Sequence, residues 1–254
     1  MILGKARNAI QSEAGLWMSS AFGASLFLSL VVLSHFGVGE RGTHAALAAT
    51  ARFSFLFFGA AYAGGALKAL FGAAFLPLQK RGREFGLAFA AALLVHIGLV
   101  AWLCWIGDVP SLRTFVFFGI AAVFTYLLAL ASFGNIREAI GPRLWWLLRT
   151  VGMNYIAYAF FKDFMKHPLQ GDIRHIVEYL PFATLAAVGP LLRFAAWTLS
   201  REHDVRAGMA GSARVLNAKP TQNGLHPVSG RSLVRHSPAE QSKQQGFGVN
   251  DHEQ

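Results

Sequence analysis

The chain has 254 residues, of which 54% are hydrophobic and only 14% are charged, and its mean hydropathy is +0.41. Soluble domains are usually about a quarter charged, so this composition excludes an ordinary soluble domain and indicates a membrane protein. The net charge of +10 is therefore interpreted as membrane topology before nucleic-acid binding, because basic residues beside apolar segments keep loops in the cytoplasm. The single cysteine, Cys104, excludes an intrachain disulfide and a thiolate metal cluster, and is interpreted as a buried small residue.

Six apolar segments are each long enough to cross a hydrocarbon core of about 30 Å, which takes about 20 helical residues. The first segment exceeds the core of a signal peptide, about 7–15 residues, and is interpreted as a retained transmembrane helix. The fold class predicted is an all-α, polytopic six-helix bundle over residues 15–200, in contact with a lipid bilayer. The six segments are 15–37, 45–67, 84–106, 113–134, 143–164 and 177–198. The loop between the second and third segments is the longest and has room for a short surface helix.

Basic residues are more frequent on one side of the predicted bundle, with the strongest cluster at Lys80, Arg81 and Arg83. This bias places both termini in the cytoplasm, in the bacterial inner membrane if the protein is prokaryotic. Residues 1–14 are then a cytoplasmic N-terminus. Residues 201–254 are rich in Gly, Ser, Pro, Gln and Asn, cannot bury enough apolar surface to fold alone, and are predicted to be a disordered cytoplasmic tail.

Ionisable residues inside membrane spans are costly and are treated as functional candidates. His96 is the deepest, about 18 Å into the membrane when counted along its helix. One interpretation is a packed histidine that bonds to a neighbouring hydroxyl or carbonyl group. The other is an axial ligand to heme iron, since imidazole is the usual protein ligand there. Arg52 lies on the second segment. Either it contacts a cofactor, through a heme propionate or a quinone oxygen, or its side chain extends to the lipid headgroups.

The segment "RGREFGLAFAAALLVHIGLVAWL" resembles the third helix of the ferric-reductase-like transmembrane family. It is most similar to the heme-binding membrane subunits of the methionine sulfoxide reductase system. Members carry a basic pair, a Gly-Leu step, an aromatic residue and a histidine ten residues past the glycine. The positions in that register here are Arg83, Gly86, Leu87, Phe89 and His96. The resemblance covers about residues 45–165 and implies heme b bound by His96 in a six-helix domain.

The fifth segment, "RLWWLLRTVGMNYIAYAFFKDFM", departs from that family pattern. Arg149 or Thr150 stands where the family has its first histidine on this helix, and Phe161 or Lys162 where it has the second. Two other residues are candidates for the second axial ligand, although each has a simpler structural interpretation. Met153 lies at a depth similar to His96. His35 lies about 12 Å nearer the outer face of the membrane than His96 does.

The resemblance implies a membrane electron carrier that accepts electrons from a separate cytoplasmic donor or from quinol, because the chain has no flavin or nicotinamide domain of its own. The missing histidines of the fifth segment support an alternative, in which a heme-free scaffold or partner subunit keeps the fold. A small transporter is a third possibility. Pro181 and Pro190 in the last segment favour it, while the absence of a visible repeat argues against it. No nucleic-acid partner is expected.

Overall fold

The computed structural model describes residues 2–170 and 173–217, and every regular element in these ranges is helical. The helices are α1 Ile2–Phe36, α2 Glu40–Phe71, α3 Leu76–Lys80, α4 Gly82–Trp105, α5 Leu112–Ala131, α6 Gly134–Gln170 and α7 Ile173–Asn217, with a short 3₁₀ turn at Gly72–Phe75. The all-α class is therefore confirmed. The short helix α3 lies in the loop between the second and third predicted segments, which is long enough for a short surface helix.

Five helical segments of the described ranges are long and apolar enough to cross a membrane. They are Ser12–Phe36, Glu40–Lys80, Gly82–Trp105, Leu112–Ala131 and Tyr179–Glu202. Together they support an integral membrane protein in contact with the bilayer. The predicted fifth segment, 143–164, is not among them, because Arg143, Arg149, Lys162 and Asp163 lower the mean hydropathy of this part of α6. The count of six spans therefore stays a prediction.

Helix α6 consists of two helical parts that meet at Gly141. This residue has a φ of 74°, in the left-handed region that glycine adopts readily, and Pro142 follows it. The long part after Gly141 coincides with the predicted fifth segment and packs along α5. At their contact, a Cβ atom on Gly152 would lie 3.1 Å from Leu128 and 3.2 Å from Phe124. Gly152 therefore allows the close approach of these two helices.

Helices α1 and α4 approach each other through small side chains. Ala21, Ala88 and Ala92 are at most 2% exposed. The buried hydroxyl of Ser25 donates a hydrogen bond across the interface to the carbonyl oxygen of Ala92, at 3.2 Å. Small residues and interhelical hydrogen bonds are the usual means of helix association where lipid removes the hydrophobic driving force.

The centre of the bundle is filled by aromatic rings from α2, α4, α6 and α7. Phe58, only 2% exposed, lies at its middle. Its ring centroid is 5.4 Å from that of Tyr62, 5.3 Å from Phe89 and 5.5 Å from Phe160. Offset aromatic contacts at these distances add to the packing energy of the core.

The predicted domain boundaries differ from the helix ends at both termini. Helix α1 begins at Ile2, so that most of the predicted N-terminal segment 1–14 is helical. Helix α7 continues past the predicted boundary at 200 to Asn217. The predicted tail therefore begins as helix, because Ala, Met, Arg and Leu in 201–217 are good helix formers. The chain divides into one compact unit, Met1–Gly208, and a second, Met209–Gln254, of which 209–217 are described as helix; the rest of the predicted disorder lies outside the described residues.

Candidate functional site: two cavities in the helix bundle

His96 on α4 is held against α2 by a side-chain hydrogen bond. Its Nδ1 atom lies 3.0 Å from the hydroxyl oxygen of Thr50, which is fully buried. The Thr50 hydroxyl donates its proton to the carbonyl oxygen of Ala46, one turn earlier, at 2.9 Å. With that proton given to Ala46, we assign the tautomer in which Nδ1–H donates to the Thr50 oxygen and the lone pair of the imidazole is on Nε2. The Thr50 hydroxyl is a hydrogen-bond partner of the kind that was expected for a packed histidine inside the membrane.

The half-buried ring of His96 lines a cavity of about 280 Å³, named here the His96 cavity. Helices α2, α4, α5 and α6 form its walls, which are mostly apolar. Because Nδ1 is engaged with Thr50, Nε2 is the ring nitrogen left for a bound molecule. The few side chains with polar atoms in the lining are Ser54, His96, Thr114, Thr125 and Asp163.

Ser54 supplies a second polar group in this cavity. It lies one helical turn after Thr50 on α2, so both side chains are on the face that meets α4. Its side chain is fully buried, and its hydroxyl oxygen has no hydrogen-bond partner among the described residues. An unsatisfied buried hydroxyl is unfavourable by about 1–3 kcal/mol, so a ligand that bonds to it would recover stability. By contrast, the Thr125 hydroxyl already donates to the Ala121 carbonyl oxygen at 2.9 Å.

Two of the predicted site residues are not in the lining of this cavity. The guanidinium carbon of Arg52 lies 4.3 Å from the centre of the Tyr179 ring and 5.8 Å from that of Phe182, which directs this side chain toward α7. His35 lies in the last turn of α1, is exposed, and packs edge-on against Phe36 at 4.7 Å. The structure therefore does not bring either residue together with His96.

Met153 lines a different cavity, of about 350 Å³, between α2, α6 and α7. Arg149 and Arg193 also line it, and it is named here the arginine cavity. Met153 is thus not positioned in the His96 cavity as an opposing ligand. Sequence inspection gave Arg193 no role, although it lies within the predicted segment 177–198.

A heme held by His96 needs room for the porphyrin, and its two propionates need polar or cationic partners. His96 with Nε2 available provides one axial ligand of the type that heme iron accepts. The lining contains no Met, Cys, second His, Lys or Arg, and phenylalanine rings occupy the neighbouring core. These residues do not fit a heme with two axial ligands. They fit a smaller, uncharged molecule better, since small-molecule pockets start at about 300 Å³.

A third polar group lies at the start of α2. The Nε2 atom of His44 is 2.7 Å from Oδ2 of Asp108, and together with Glu40 they offer ligand atoms that all lie within 4.8 Å of one another. His44 and Glu40 are exposed. Sequence inspection missed this group because Asp108 follows α4, 64 positions after His44. The sequence offers only a carboxylate in a loop and a histidine near a helix start, and it does not indicate that the two lie together.

His167 and His175, two histidines that follow the predicted fifth segment in the sequence, have side chains outside the described residues. Lys162, at one of the family's histidine positions, places its ammonium group 3.9 Å from the centre of the Phe117 ring. That position is therefore occupied by a cation–π contact between α6 and α5.

No protein-family model, characterised protein or solved structure matches the chain. The function proposed below therefore depends on the geometry of the site and on the sequence resemblance stated above.

Proposed function

We propose that this integral membrane protein binds a small lipophilic molecule with a ring hydroxyl or carbonyl group, of which a quinol head group is the example, in the His96 cavity. We also propose that the part of α6 after Gly141 is a sixth span, which gives the six-helix architecture that the sequence predicts. The observation that carries the ligand proposal is the pairing of the Nε2 acceptor of His96 with the unpartnered hydroxyl of Ser54 in one apolar cavity.

The two polar groups are complementary to a quinol or quinone. A quinol hydroxyl donates to Nε2 of His96, and a quinone carbonyl accepts from the Ser54 hydroxyl. Apolar walls with a few placed polar groups are typical of small-molecule sites. Phe115, Phe118 and Phe160 line the cavity and offer faces for a flat ring.

The sixth span is supported by the position of α6 between the other helices. Tyr155 on α6 donates a hydrogen bond to the carbonyl oxygen of Phe117 on α5, at 3.1 Å. Ile156, Ala159 and Phe160 of the same helix line the His96 cavity. A helix that completes the wall of an intramembrane cavity is expected to cross the membrane with its neighbours, even with low hydropathy of its own.

The ligand proposal is tested by calorimetric titration of the full chain in detergent with a short-chain ubiquinol and with menadiol, both kept in the reduced form, so that the ring hydroxyl can donate to Nε2 of His96. We expect His96→Leu to weaken binding about tenfold and Ser54→Ala about fivefold, since each removes one hydrogen bond of about 1–1.5 kcal/mol. Thr184→Ala is the matched control, because the exposed Thr184 hydroxyl bonds only to carbonyls of its own helix. Equal affinities in wild type and His96→Leu would refute the site.

A second candidate function is electron transfer through heme b, which the resemblance implies and for which His96 would be one axial ligand. Bound heme would supply one-electron redox chemistry, and the chain's own contribution would be to hold Nε2 of His96 in place through Thr50. A reduced-minus-oxidised spectrum after expression with heme precursor decides between the candidates. Soret and α bands that change in His96→Ala would support this function. A spectrum without these bands would show that the protein does not bind heme. The aromatic rings that fill the core beside the cavity are the structural argument for that outcome.

A further inference from the structure

The arginine cavity contains two cationic side chains, and none of the described residues in its lining carries a carboxylate. Arg149 comes from α6 and Arg193 from α7, whereas Tyr62 and Ala66 come from α2. Two guanidinium groups from different helices around one cavity of about 350 Å³ create a concentrated positive potential. Such an arrangement favours an anionic ligand, because each guanidinium offers a planar set of donors that matches phosphate or carboxylate oxygens.

The cavity is structurally fixed on its α2 side. The guanidinium carbon of Arg193 lies 4.5 Å from the centre of the Tyr62 ring, a cation–π contact. The Tyr62 hydroxyl donates a hydrogen bond of 2.6 Å to Oδ1 of Asn154 on α6. A Cβ atom on Gly189 would lie 3.2 Å from the same ring, so α7 approaches it closely. Tyr62, itself 5% exposed, therefore positions Arg193 relative to both neighbouring helices.

The cavity lies toward one end of the spans. The α7 span is Tyr179–Glu202, and the residues it contributes, from Arg193 to Ser200, belong to its second half. Lys68 follows Ala66 on α2, and Arg201 follows Ser200 on α7, with its guanidinium 4.2 Å from the Trp197 ring. This is the end that the sequence predicts to be cytoplasmic. Basic residues at this level lie close to lipid headgroups.

The walls of the cavity are apolar beside the two arginines. Met153, Ala69, Ala196 and Trp197 contribute to them. A soluble anion such as phosphate would contact only the two arginines. A phospholipid has acyl chains next to its phosphate, and these can contact the apolar walls as well. Trp197 is half exposed at 49%, as expected for a ring at the interface between lipid and water.

We propose that the arginine cavity binds the phosphate group of an anionic phospholipid, such as phosphatidylglycerol, through Arg149 and Arg193, with the start of an acyl chain against Met153 and Trp197. The inference is independent of the ligand in the His96 cavity. Basic pockets between transmembrane helices on the cytoplasmic side are a recurring means of anionic lipid recognition. The bound lipid would join α6 and α7, which each contribute one arginine.

The test is native mass spectrometry of the full chain in detergent, titrated with phosphatidylglycerol or phosphatidylcholine of the same acyl chains. We expect one phosphatidylglycerol to bind at least about tenfold more tightly than phosphatidylcholine, and Arg193→Gln and Arg149→Gln each to reduce this preference about tenfold, as for loss of one charge-assisted contact. Arg193→Lys keeps the charge and should retain part of the preference. Arg113→Gln, an exposed arginine at the start of α5, is the matched control and should change nothing.

Three results would overturn the proposal. Equal binding of the two lipids would show that the phosphate charge is not recognised. An unchanged preference in both Arg193→Gln and Arg149→Gln would place the lipid elsewhere. Thermal stabilisation by inorganic phosphate that equals that by phosphatidylglycerol, and is lost in Arg193→Gln, would identify a soluble anion as the ligand.

Discussion

The His96 cavity and the arginine cavity share α2 and α6 as walls but differ in their polar groups. The His96 cavity holds one imidazole, three hydroxyls and the carboxylate of Asp163, whereas the arginine cavity holds two guanidinium groups. The difference does not lie in depth, since His96 is the fifteenth of 24 residues in Gly82–Trp105 and Arg193 the fifteenth of 24 in Tyr179–Glu202. It lies in what each side chain can reach. The short imidazole of His96 finds its hydrogen-bond partner within the protein, on Thr50. The longer arginine side chains can extend along their helices toward the headgroups instead. One bundle can therefore offer a neutral lipophilic ligand and an anionic one separate sites.

The largest expected effect comes from the aromatic core between the cavities. Phe58 contacts Tyr62 of the arginine cavity and Phe89 and Phe160 of the His96 cavity. Phe58→Ala should lower the free energy of unfolding by about 3–5 kcal/mol, because it leaves a void at the centre of the bundle. Reversible denaturation in mixed detergent micelles measures this change. Phe27→Ala is the control, since Phe27 is 70% exposed, and its unfolding free energy should hardly change. Equal losses in the two variants would show that Phe58 does not fill a packed core.

A smaller effect is expected where the polar partner of His96 is removed. Thr50→Val keeps the shape of the side chain but takes away the acceptor of Nδ1–H, so the ring loses its fixed orientation. We expect a loss of about 0.6–1.7 kcal/mol in unfolding free energy, the range for hydrogen bonds between membrane helices. Calorimetry should also show weaker quinol binding, with phosphatidylglycerol binding unchanged. If lipid binding fell in parallel, the two cavities would not be independent; Thr184→Val serves as the control.

The smallest effect is expected at the exposed pair of His44 and Asp108. Asp108→Asn should change the unfolding free energy by at most about 1 kcal/mol, because water screens exposed ion pairs. Thermal unfolding at low and high salt measures it, and ligand binding in both cavities should stay as in wild type. A loss clearly greater than about 1 kcal/mol would mean that this end of the bundle supports the His96 cavity.

Helix positions were predictable because each depends on a local property of the chain. Four of the six predicted segments coincide closely with spanning helices, since about 20 apolar residues in a row have no other stable arrangement in lipid. Position 149 shows the limit. Its arginine was visible as a departure from a family pattern, but its neighbour Arg193 on α7 is 44 residues away in the chain, and only the packing of α6 against α7 brings both to one cavity.

The candidate axial ligands to heme iron were likewise only partly predictable from the sequence. The sequence identified His96 as the buried imidazole and left open whether a hydroxyl or a metal would be its partner. The structure supplies the Thr50 hydroxyl for Nδ1 and directs Met153, Arg52 and His35 to other places. Depth counted along a helix was similar for His96 and Met153, but depth does not give the direction in which a side chain points. That direction depends on helix rotation.

The sequence alone determined that this is an all-helical membrane protein, where most of its helices lie, and which ionisable residues are buried among apolar ones, because these follow from composition and from the length needed to cross a bilayer. Only the tertiary structure decided which side chains share a cavity. Helix rotation and close packing at Gly152 and Gly189 are fixed by contacts between segments far apart in the chain, and these contacts separate the His96 cavity from the arginine cavity.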